Sequence, residues 1–410
     1  MTTGAGNPEG PSAARDLRRI LAVQAVRAFL YGFGTVILGT SLAASGLSDT
    51  QVGLVFTAML AGMALAAIVV GMIGDRVGRR RLYTVLVLGM GAAGIAFALT
   101  TSVAVLAAVA LTGTMSTDAN ESGPITTLEQ AMIGQAPPHL RVRVFGRYNA
   151  IAYLAGAAGA LAAGGPAAFR HVLPSLPPDQ RWLLVFPVGA LACAWLAAGL
   201  TQNVEVAAAA GAAAPRPLQR SRKRVFTLAS LFAVDAFAGG FVVVTFIVFW
   251  FERRFAAGAE LMSLVIFAAG LLQAGSSIVA ARLGSRFGLL NTMVFSHLPS
   301  NVLLMLVPLS PWLWLGIVVL LARFALSQMD VPTRQAYIAA MVDPEERTAA
   351  AAVTNTARYV ARPAGPLIGT VLMQNVALGA PWVIAGGLKI VYDLTLWRVF
   401  RHLRLPESLR

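Results

Sequence analysis

The sequence predicts an all-α membrane protein in which twelve transmembrane helices form two pseudo-symmetric six-helix bundles. Composition is the first reason: 57% of the 410 residues are hydrophobic and 12% are charged, whereas about 25% of a soluble domain is charged. The second reason is a series of apolar runs long enough to cross a bilayer, which takes about 20 residues. The third is an internal repeat that relates the first half of the chain to the second.

Glycines, prolines and clusters of charge separate twelve apolar runs along the chain. The first run continues well beyond the apolar core of a signal peptide, so we expect it to be retained as a helix. The fourth and tenth runs are over-long and polar in their second halves, so we expect both to extend beyond the hydrocarbon. The predicted spans are residues 19–44, 51–73, 81–100, 104–134, 142–167, 182–200, 225–250, 258–281, 288–308, 311–341, 348–377 and 381–400.

The distribution of basic residues predicts the orientation in the membrane, because cytoplasmic loops of membrane proteins are enriched in lysine and arginine. One side of the predicted spans holds 22 of the 32 basic residues, and the other side holds four arginines. We therefore expect both termini in the cytoplasm, in agreement with the even number of helices. The four arginines are Arg170, Arg181, Arg253 and Arg254, and the opposite clusters lie within residues 15–19, 76–81, 141–147, 216–224, 282–286, Arg347 and 398–410.

Similar motifs recur in the two halves at offsets of 205 to 210 residues. Residues 27–33 (RAFLYGF) resemble residues 235–241 (DAFAGGF), and residues 74–78 (GDRVG) resemble residues 284–288 (GSRFG). A nearly constant offset over four pairs of helices indicates two related halves. The other matches are Glu129-Gln130-Ala131 with Arg334-Gln335-Ala336, and Pro138, Arg141, Asn149, Gly159 and Leu161 with Pro344, Arg347, Asn355, Gly365 and Leu367.

The repeat predicts two bundles joined by a stretch rich in alanine, proline and arginine. The predicted organisation is a cytoplasmic tail (1–18), an N-terminal bundle (19–202), a cytoplasmic linker (203–224), a C-terminal bundle (225–400) and a second cytoplasmic tail (401–410).

Several classes of function are disfavoured by the sequence. The net charge of +14 would suit nucleic acid, but the basic residues lie in short clusters between apolar runs rather than on one domain. The single cysteine, Cys193, allows no internal disulfide and makes a thiolate metal site improbable. The histidines are interpreted as lying near helix ends, without metal-site spacing. No nucleotide-binding loop or nucleophile–base pair stands out, so we expect no enzyme activity, no ATP-driven transport, no metal and no cofactor.

The loop between the second and third spans carries a recognisable motif. Residues 71–80 read GMIGDRVGRR: a glycine, three residues, Asp-Arg, any residue, then Gly-Arg-Arg. This motif resembles the signature loop of the major facilitator superfamily, and residues 284–288 are a degenerate copy of it. The resemblance covers residues 15–405, and the chain resembles bacterial drug and small-molecule efflux members. The run from Asp330 to Ala336, with Gly365-Pro366, also looks like bacterial members.

What the resemblance implies is a transporter fold and a gating role for the signature loop, which in the family stabilises the outward-facing state. The alternative is that the loop only determines topology. The sequence departs from proton-coupled drug antiporters of the family in two places. Residues 111–118 hold no arginine, and the fifth span has Gly159-Ala160 instead of Gly-Pro ahead of the double glycine Gly164-Gly165, whereas Gly365-Pro366 lies in the eleventh span. The loop residues assigned to gating are Gly71, Asp75, Arg76, Gly78, Arg79 and Arg80.

Charged side chains inside the predicted spans are the candidate functional residues, because each costs about 2.5–3.5 kcal/mol to insert. Six basic and six acidic residues fall there, and the equal numbers suggest pairing across the bundle. The sequence therefore does not decide the charge of a substrate. The basic residues are Arg27, Arg323, Arg334, Arg358, Arg362 and Lys389, and the acidic ones are Asp118, Glu121, Glu129, Asp235, Asp330 and Asp393.

Four of the acids are candidates for proton coupling: Asp118, Glu121, Asp235 and Asp330. Asp118 and Glu121 come first, because they lie near mid-depth and burial favours the protonated form of a carboxyl. The alternative for each is a permanent ion pair with an arginine, and for Asp235 that partner would be Arg27.

Side chains on the expected cavity helices are candidates for contact with substrate. In the family the first, fourth, seventh and tenth helices line the central cavity. The candidates are Gln24, Arg27, Tyr31, Phe237, Phe241, Arg323, Asn355, Arg358 and Arg362; for the aromatic residues the alternative is packing between helices. We expect Glu129 and Arg334 to form a gate with the arginines of the signature loop, and Lys389 and Asp393 to form a local pair without a role in transport.

Together these features predict a secondary active transporter that works by alternating access in the inner membrane of a bacterium. The leading interpretation is proton-coupled export of a small apolar or amphiphilic molecule. The alternative is proton-coupled import of a small organic acid, which the arginines and the missing antiporter motif favour. A remote alternative is a receptor that transports nothing. The expected partners are a small-molecule substrate, protons and the lipid bilayer, with no nucleic acid, and the chain is expected to be a monomer.

Overall fold

A computed structural model describes residues 11–116, 123–134, 138–205, 218, 221–342 and 346–403. Its elements in these ranges are α-helices and short 3-10 turns, as predicted. The α-helices are α1 (Pro11–Ala44), α2 (Asp49–Val77), α3 (Arg79–Leu99), α4 (Val103–Ala110), α5 (Pro124–Ile133), α6 (Pro138–Ala162), α7 (Gly165–Arg170), α8 (Val185–Ala198), α9 (Arg222–Gly240), α10 (Val244–Phe255), α11 (Ala259–Phe287), α12 (Leu289–Leu306), α13 (Leu313–Ser327), α14 (Asp330–Met341), α15 (Arg347–Ala361), α16 (Ala364–Asn375) and α17 (Ala380–Phe400). The 3-10 turns are Asp179–Leu184, Gln202–Val204 and Val307–Leu309.

Every predicted span coincides with one helix or with two consecutive helices. Proline, which lacks a backbone donor, lies at two of the interruptions: α5 begins at Pro124, and Pro363 precedes α16. Among the described residues, nine helical segments are long and apolar enough to cross a membrane. The predicted fourth and eleventh spans are each divided between two shorter helices, and the twelfth, α17, carries charged residues in its middle.

The chain packs as two units. The first comprises Met1–Leu47, Leu54–Gly211 and Val244–Phe267, and the second comprises Ser48–Gly53, Ala212–Val243 and Ala268–Arg410. In the first unit α1 packs against α6, α8 and α10, and α3 packs against α8. In the second unit α9 packs against α15 and α17, and α12 packs against α13, α14 and α17.

Glycines bring helix backbones into direct contact at equivalent positions of the two halves. In the first unit a Cβ on Gly32 of α1 would overlap the carbonyl oxygen of Gly156 on α6. In the second unit a Cβ on Gly240 of α9 would overlap the carbonyl oxygen of Arg362. Small residues are what allow membrane helices to approach this closely. The offsets between these positions, 208 and 206 residues, are those of the sequence repeat.

A second equivalence lies at the two short loops that the repeat pairs. Gly78 precedes α3 with φ 98°, and Gly288 precedes α12 with φ 83°. Both values lie in the left-handed region, which glycine adopts without a steric penalty. The degenerate loop of the second half therefore keeps the backbone turn of the first, although it has lost most of the charged residues.

Candidate functional site: two buried polar clusters

The first unit contains a closed network of polar side chains, which we call the Arg27 cluster (Gln24, Arg27, Tyr83, Glu129 and Tyr148). Arg27 Nη2 donates to Glu129 Oε2 at 2.6 Å, and the two side chains are 2% and 0% exposed. Tyr83 donates its hydroxyl to Glu129 Oε1 at 2.8 Å, and Tyr148 donates to Oε2 at 2.6 Å. Arg27 also donates to Gln24, one turn earlier on α1.

This network satisfies the physical requirement on a buried charge. A buried ion pair is tolerated when further hydrogen bonds occupy the remaining lone pairs of the carboxylate. Both oxygens of Glu129, on α5, accept hydrogen bonds, and α1, α3 and α6 each supply a donor. The cluster therefore joins four helices of the first unit around one carboxylate.

The second unit contains a larger ionic network, which we call the Asp235 cluster (Asp235, Asp330, Arg334, Arg358 and Lys389). Lys389 Nζ lies 2.5 Å from Asp235 Oδ1, and Arg358 Nη1 lies 3.0 Å from Asp235 Oδ2. Arg334 Nη1 lies 3.8 Å from Asp235 Oδ2 and 2.7 Å from Asp330 Oδ2. Asp235 is 5% exposed, but Arg358 is 26% exposed. One carboxylate is thus shared by three cations, one of which is partly accessible.

A third group of polar side chains lies between α12 and α17. His297 Nδ1 and Asp393 Oδ1 are 3.0 Å apart, and Asn301 Nδ2 donates to Asp393 Oδ2 at 2.8 Å. All three side chains are buried. Sequence reasoning missed this group: it placed His297 near a helix end, whereas the residue lies in the middle of α12.

The expectation of a local Lys389–Asp393 pair is wrong. The two residues are one turn apart on α17, but Lys389 bonds to Asp235 on α9 and Asp393 bonds to residues of α12. Different helices pack against successive turns of α17, and each buried charge takes the partner that its own neighbour supplies. Arg27 and Asp235, the alternative pair, each have ion-pair partners within their own unit.

The predicted gate between Glu129 and the loop arginines has a different geometry. Glu129 bonds to Arg27 and the tyrosines, whereas Arg79 donates to the carbonyl oxygen of Ala131 at 3.1 Å. The backbone N–H groups of Arg79 and Arg80 donate to Glu205, at 2.7 and 3.1 Å. Glu205 therefore fixes the end of the signature loop at the start of α3. Gly71 and Arg76 are exposed, and the side chain of Asp75 lies outside what the structure describes.

The other predicted substrate contacts differ in exposure. Tyr31 is buried and donates to the carbonyl oxygen of Thr114 at 2.8 Å. Phe237 is half-buried, and its ring meets that of Phe241 edge-on with centroids 5.1 Å apart. Contact of these aromatic rings with substrate stays a prediction. Of the remaining candidates, Asn355 is exposed, and Arg323 and Arg362 are half-buried.

The two leading candidates for proton coupling, Asp118 and Glu121, lie outside the described residues. Within the described residues, no group of three or more His, Cys, Asp or Glu side chains is arranged to hold a metal ion. The chemistry that the two clusters offer is exchange of ion-pair partners and of protons.

Comparison with known proteins places the chain in a family. The sequence profile of the Major Facilitator Superfamily matches residues 21–366 and 236–410. The uncharacterized membrane protein YJR124C of Saccharomyces cerevisiae is 26% identical over 426 aligned positions, which cover 95% of this chain and 94% of the relative.

Solved structures share the fold at low sequence identity. The nucleoside transporter NupG superposes with a TM-score of 0.70 at 13% identity, over 94% of this chain and 99% of its own. The xylose transporter XylE from E. coli, in an inward open conformation, gives 0.69 at 14% identity, over 96% and 97%. The human organic anion transporter MFSD10 gives 0.63 at 16% identity, over 94% and 100%. With the profile matching most of its length, this chain belongs to the Major Facilitator Superfamily, a family of multi-pass membrane transporters rather than enzymes.

Proposed function

We propose that this transporter works by alternating access and couples the export of a small apolar or amphiphilic molecule to proton entry. We place it in the inner membrane of a bacterium with both termini in the cytoplasm. The arginine bias of the loops supports that orientation, and the usage rich in alanine and arginine fits a GC-rich bacterial genome.

The observation that carries the proposed cargo is the balance of buried charge in each unit. Arg27 is neutralised by Glu129, and the three cations of the Asp235 cluster are matched by Asp235, Asp330 and the nearby Asp393. A site that selects an anion or a cation needs an excess of the opposite charge, whereas balanced clusters suit a cargo with little net charge. An apolar molecule crosses the bilayer unaided, so active transport changes its distribution usefully by moving it outward.

The proposed coupling site is a carboxylate that exchanges a cationic partner for a proton. Asp235 fits this role because Arg358, one of its partners, is partly exposed. Asp118 and Glu121 on the fourth span are the other proposed carriers, and their protonation would compete with cargo and bias the inward–outward equilibrium. Asp330 is the fourth, through its contact with Arg334 at 2.7 Å.

A second candidate function is import of a small organic acid together with a proton. The exposure of Arg358 favours it, because a partly accessible guanidinium can bind a carboxylate with two parallel hydrogen bonds. In that case the Arg358→Gln change abolishes uptake of the acid, whereas under the export proposal export of an apolar cargo survives it in part. The remote alternative of a receptor predicts no flux in either direction.

The experiment uses inside-out vesicles with a respiration-generated pH gradient reported by a quenched dye. Cationic, neutral and anionic compounds are added to vesicles that carry the wild type, Asp235→Asn, Asp118→Asn or Glu121→Gln. We expect recovery of fluorescence with neutral amphiphilic compounds in the wild type, and loss of that response in at least one of the three variants. Glu260→Gln, a change at an exposed carboxylate, is the matched control and should respond like the wild type.

If no compound in the panel restores the fluorescence although folded wild-type protein is present in the vesicles, export coupled to protons is contradicted. Uptake of radiolabelled organic acids by right-side-out vesicles then separates import from the receptor alternative. A response that survives in all three carboxylate variants contradicts the proposed coupling residues but leaves antiport itself intact.

A further inference from the structure

The group formed by His297, Asn301 and Asp393 has no part in the function proposed so far. It is buried between α12 and α17, with Asp393 0% and His297 8% exposed. Both oxygens of Asp393 already hold a partner. The hydrogen bonds formed by His297 among the described residues use Nδ1, so Nε2 is the ring atom left to take a proton.

This group is connected to the Asp235 cluster through one residue. Lys389 lies one turn before Asp393 on α17, and its Nζ contacts Asp235 Oδ1 at 2.5 Å. Asp393 interacts electrostatically with Lys389 and Asp235, and Asp235 interacts with His297. A change of charge at the His297–Asp393 pair therefore changes the electrostatic potential at Asp235, the carboxylate to which we assign proton coupling.

We propose that the His297–Asp393 pair is a second proton-binding site in the second unit, and that Lys389 links its occupancy to Asp235. The proton binds to the lone pair of His297 Nε2 and forms an imidazolium that stays paired with the Asp393 carboxylate. No bond breaks, and the charge of the pair changes from −1 to 0. The link to transport rests on the proposed function, but proton binding at His297 does not.

The mechanism of the link is competition for the charge of Lys389. When His297 is neutral, Asp393 and Asp235 both attract the ammonium group of Lys389. When His297 is protonated, Asp393 is neutralised locally and Lys389 remains with Asp235. Release of Lys389 from Asp235 and loss of the His297 proton are thus favoured together. The helices packed around this pair carry further charged and titratable groups: Arg222, Lys223, Arg224 and Asp235 on α9, Arg323 on α13, Asp330, Arg334 and Tyr337 on α14, and Lys389, Tyr392 and Arg398 on α17.

The test reads the protonation of His297 directly in the full-length protein, without any cargo. Protein labelled with ¹³C-histidine is placed in lipid nanodiscs, and the ring signals are followed by NMR from about pH 5 to pH 9. His297→Gln assigns the signal, and His171→Gln, at an exposed histidine, is the control that should leave it unchanged. We expect a titration whose midpoint falls by roughly one pH unit in Asp235→Asn and rises by a similar amount in Lys389→Met.

Opposite shifts in these two variants are the result that supports the proposal. A His297 signal that stays constant over this pH range, or one whose midpoint is the same in both variants, overturns it. If Lys389→Met does not fold, Asp393→Asn is measured instead: the amide oxygen can still accept from Nδ1, and the midpoint should fall further than in Asp235→Asn because the lost charge contacts the ring. A fall no larger than in Asp235→Asn then overturns the proposal. Because no cargo is used, silence in the vesicle assay leaves this result unaffected, and the two proposals fail separately.

Discussion

Two positions of the repeat carry an ion pair in each half of the molecule, with the charges reversed. Arg27 and Glu129 in the first unit correspond to Asp235 and Arg334 in the second, at offsets of 208 and 205 residues. The first pair is 2.6 Å apart and fully enclosed, whereas the second is 3.8 Å apart. The two halves therefore place a charge pair at equivalent positions, but the charges are exchanged and the distance between them is longer in the second unit.

The difference lies in how each carboxylate is shared. Glu129 has one cation and two tyrosine hydroxyls, so its partners are complete within one closed network. Asp235 is shared by three cations, and Arg334 turns mainly to Asp330. A closed network holds helices together, whereas a shared carboxylate can exchange partners at lower cost. We interpret the first cluster as structural and the second as functional.

The strongest test of these two roles is to remove one carboxylate in each unit. We expect Glu129→Gln to destabilise the protein by about 3–5 kcal/mol, because it leaves Arg27 buried without a counter-charge. Asp235→Asn should cost less stability, because Arg358 is partly exposed and Arg334 keeps Asp330. Thermal unfolding of the purified variants in detergent measures both effects.

A double change is the control for this prediction. Replacement of both Arg27 and Glu129 by Met removes the buried charges together, so we expect it to recover much of the stability lost in Glu129→Gln. Equal losses of stability in Glu129→Gln and Asp235→Asn would contradict the assignment of a structural role to one cluster and a functional role to the other.

The sequence predicts the helices and the repeat better than it predicts the ion-pair partners. Hydropathy locates the helices because a span needs a long apolar run, and the repeat offsets locate the paired glycines and loops. The partner of each buried charge depends on which helix packs against that turn. The periodicity of the sequence does not give this information. Lys389 shows this, since the i,i+4 spacing favours Asp393 and the fold provides Asp235. The roles of Asp118 and Glu121 stay predictions.

The paired glycines test whether the two halves share one backbone requirement. We expect Gly32→Ala and Gly240→Ala each to destabilise by about 3 kcal/mol, because the added methyl overlaps a backbone carbonyl of the facing helix. Gly146→Ala and Gly387→Ala are matched controls in the two units, since a Cβ there meets no atom within 4 Å. A large loss at Gly32 with none at Gly240 would show that the halves differ at this crossing.

The two tyrosines of the Arg27 cluster test whether this cluster acts as one structural network. Tyr83→Phe and Tyr148→Phe each remove one hydrogen bond to Glu129 and keep the ring, so we expect a loss of about 1.5 kcal/mol for each. Because both donors bind the same carboxylate, the double variant should differ from the sum of the single variants. Strict additivity in thermal unfolding would mean that the two hydroxyls act independently and would count against a single network.

The smallest expected effect concerns the two loops, where the sequences have diverged and the backbone has not. Gly78→Ala and Gly288→Ala each place a methyl group on a residue with positive φ, which costs about 1 kcal/mol for an L-residue. A Cβ at Gly78 meets Glu205 only at 3.5 Å, and one at Gly288 meets no atom within 4 Å, so the cost is conformational at both. We therefore expect the two alanine variants to lose equal stability in thermal unfolding. Gly78→Asn and Gly288→Asn should each lose less, because asparagine tolerates this conformation. A loss confined to Gly78 would mean that the complete motif constrains its turn more tightly than the degenerate one does, and the equivalence of the halves would then not extend to the loops.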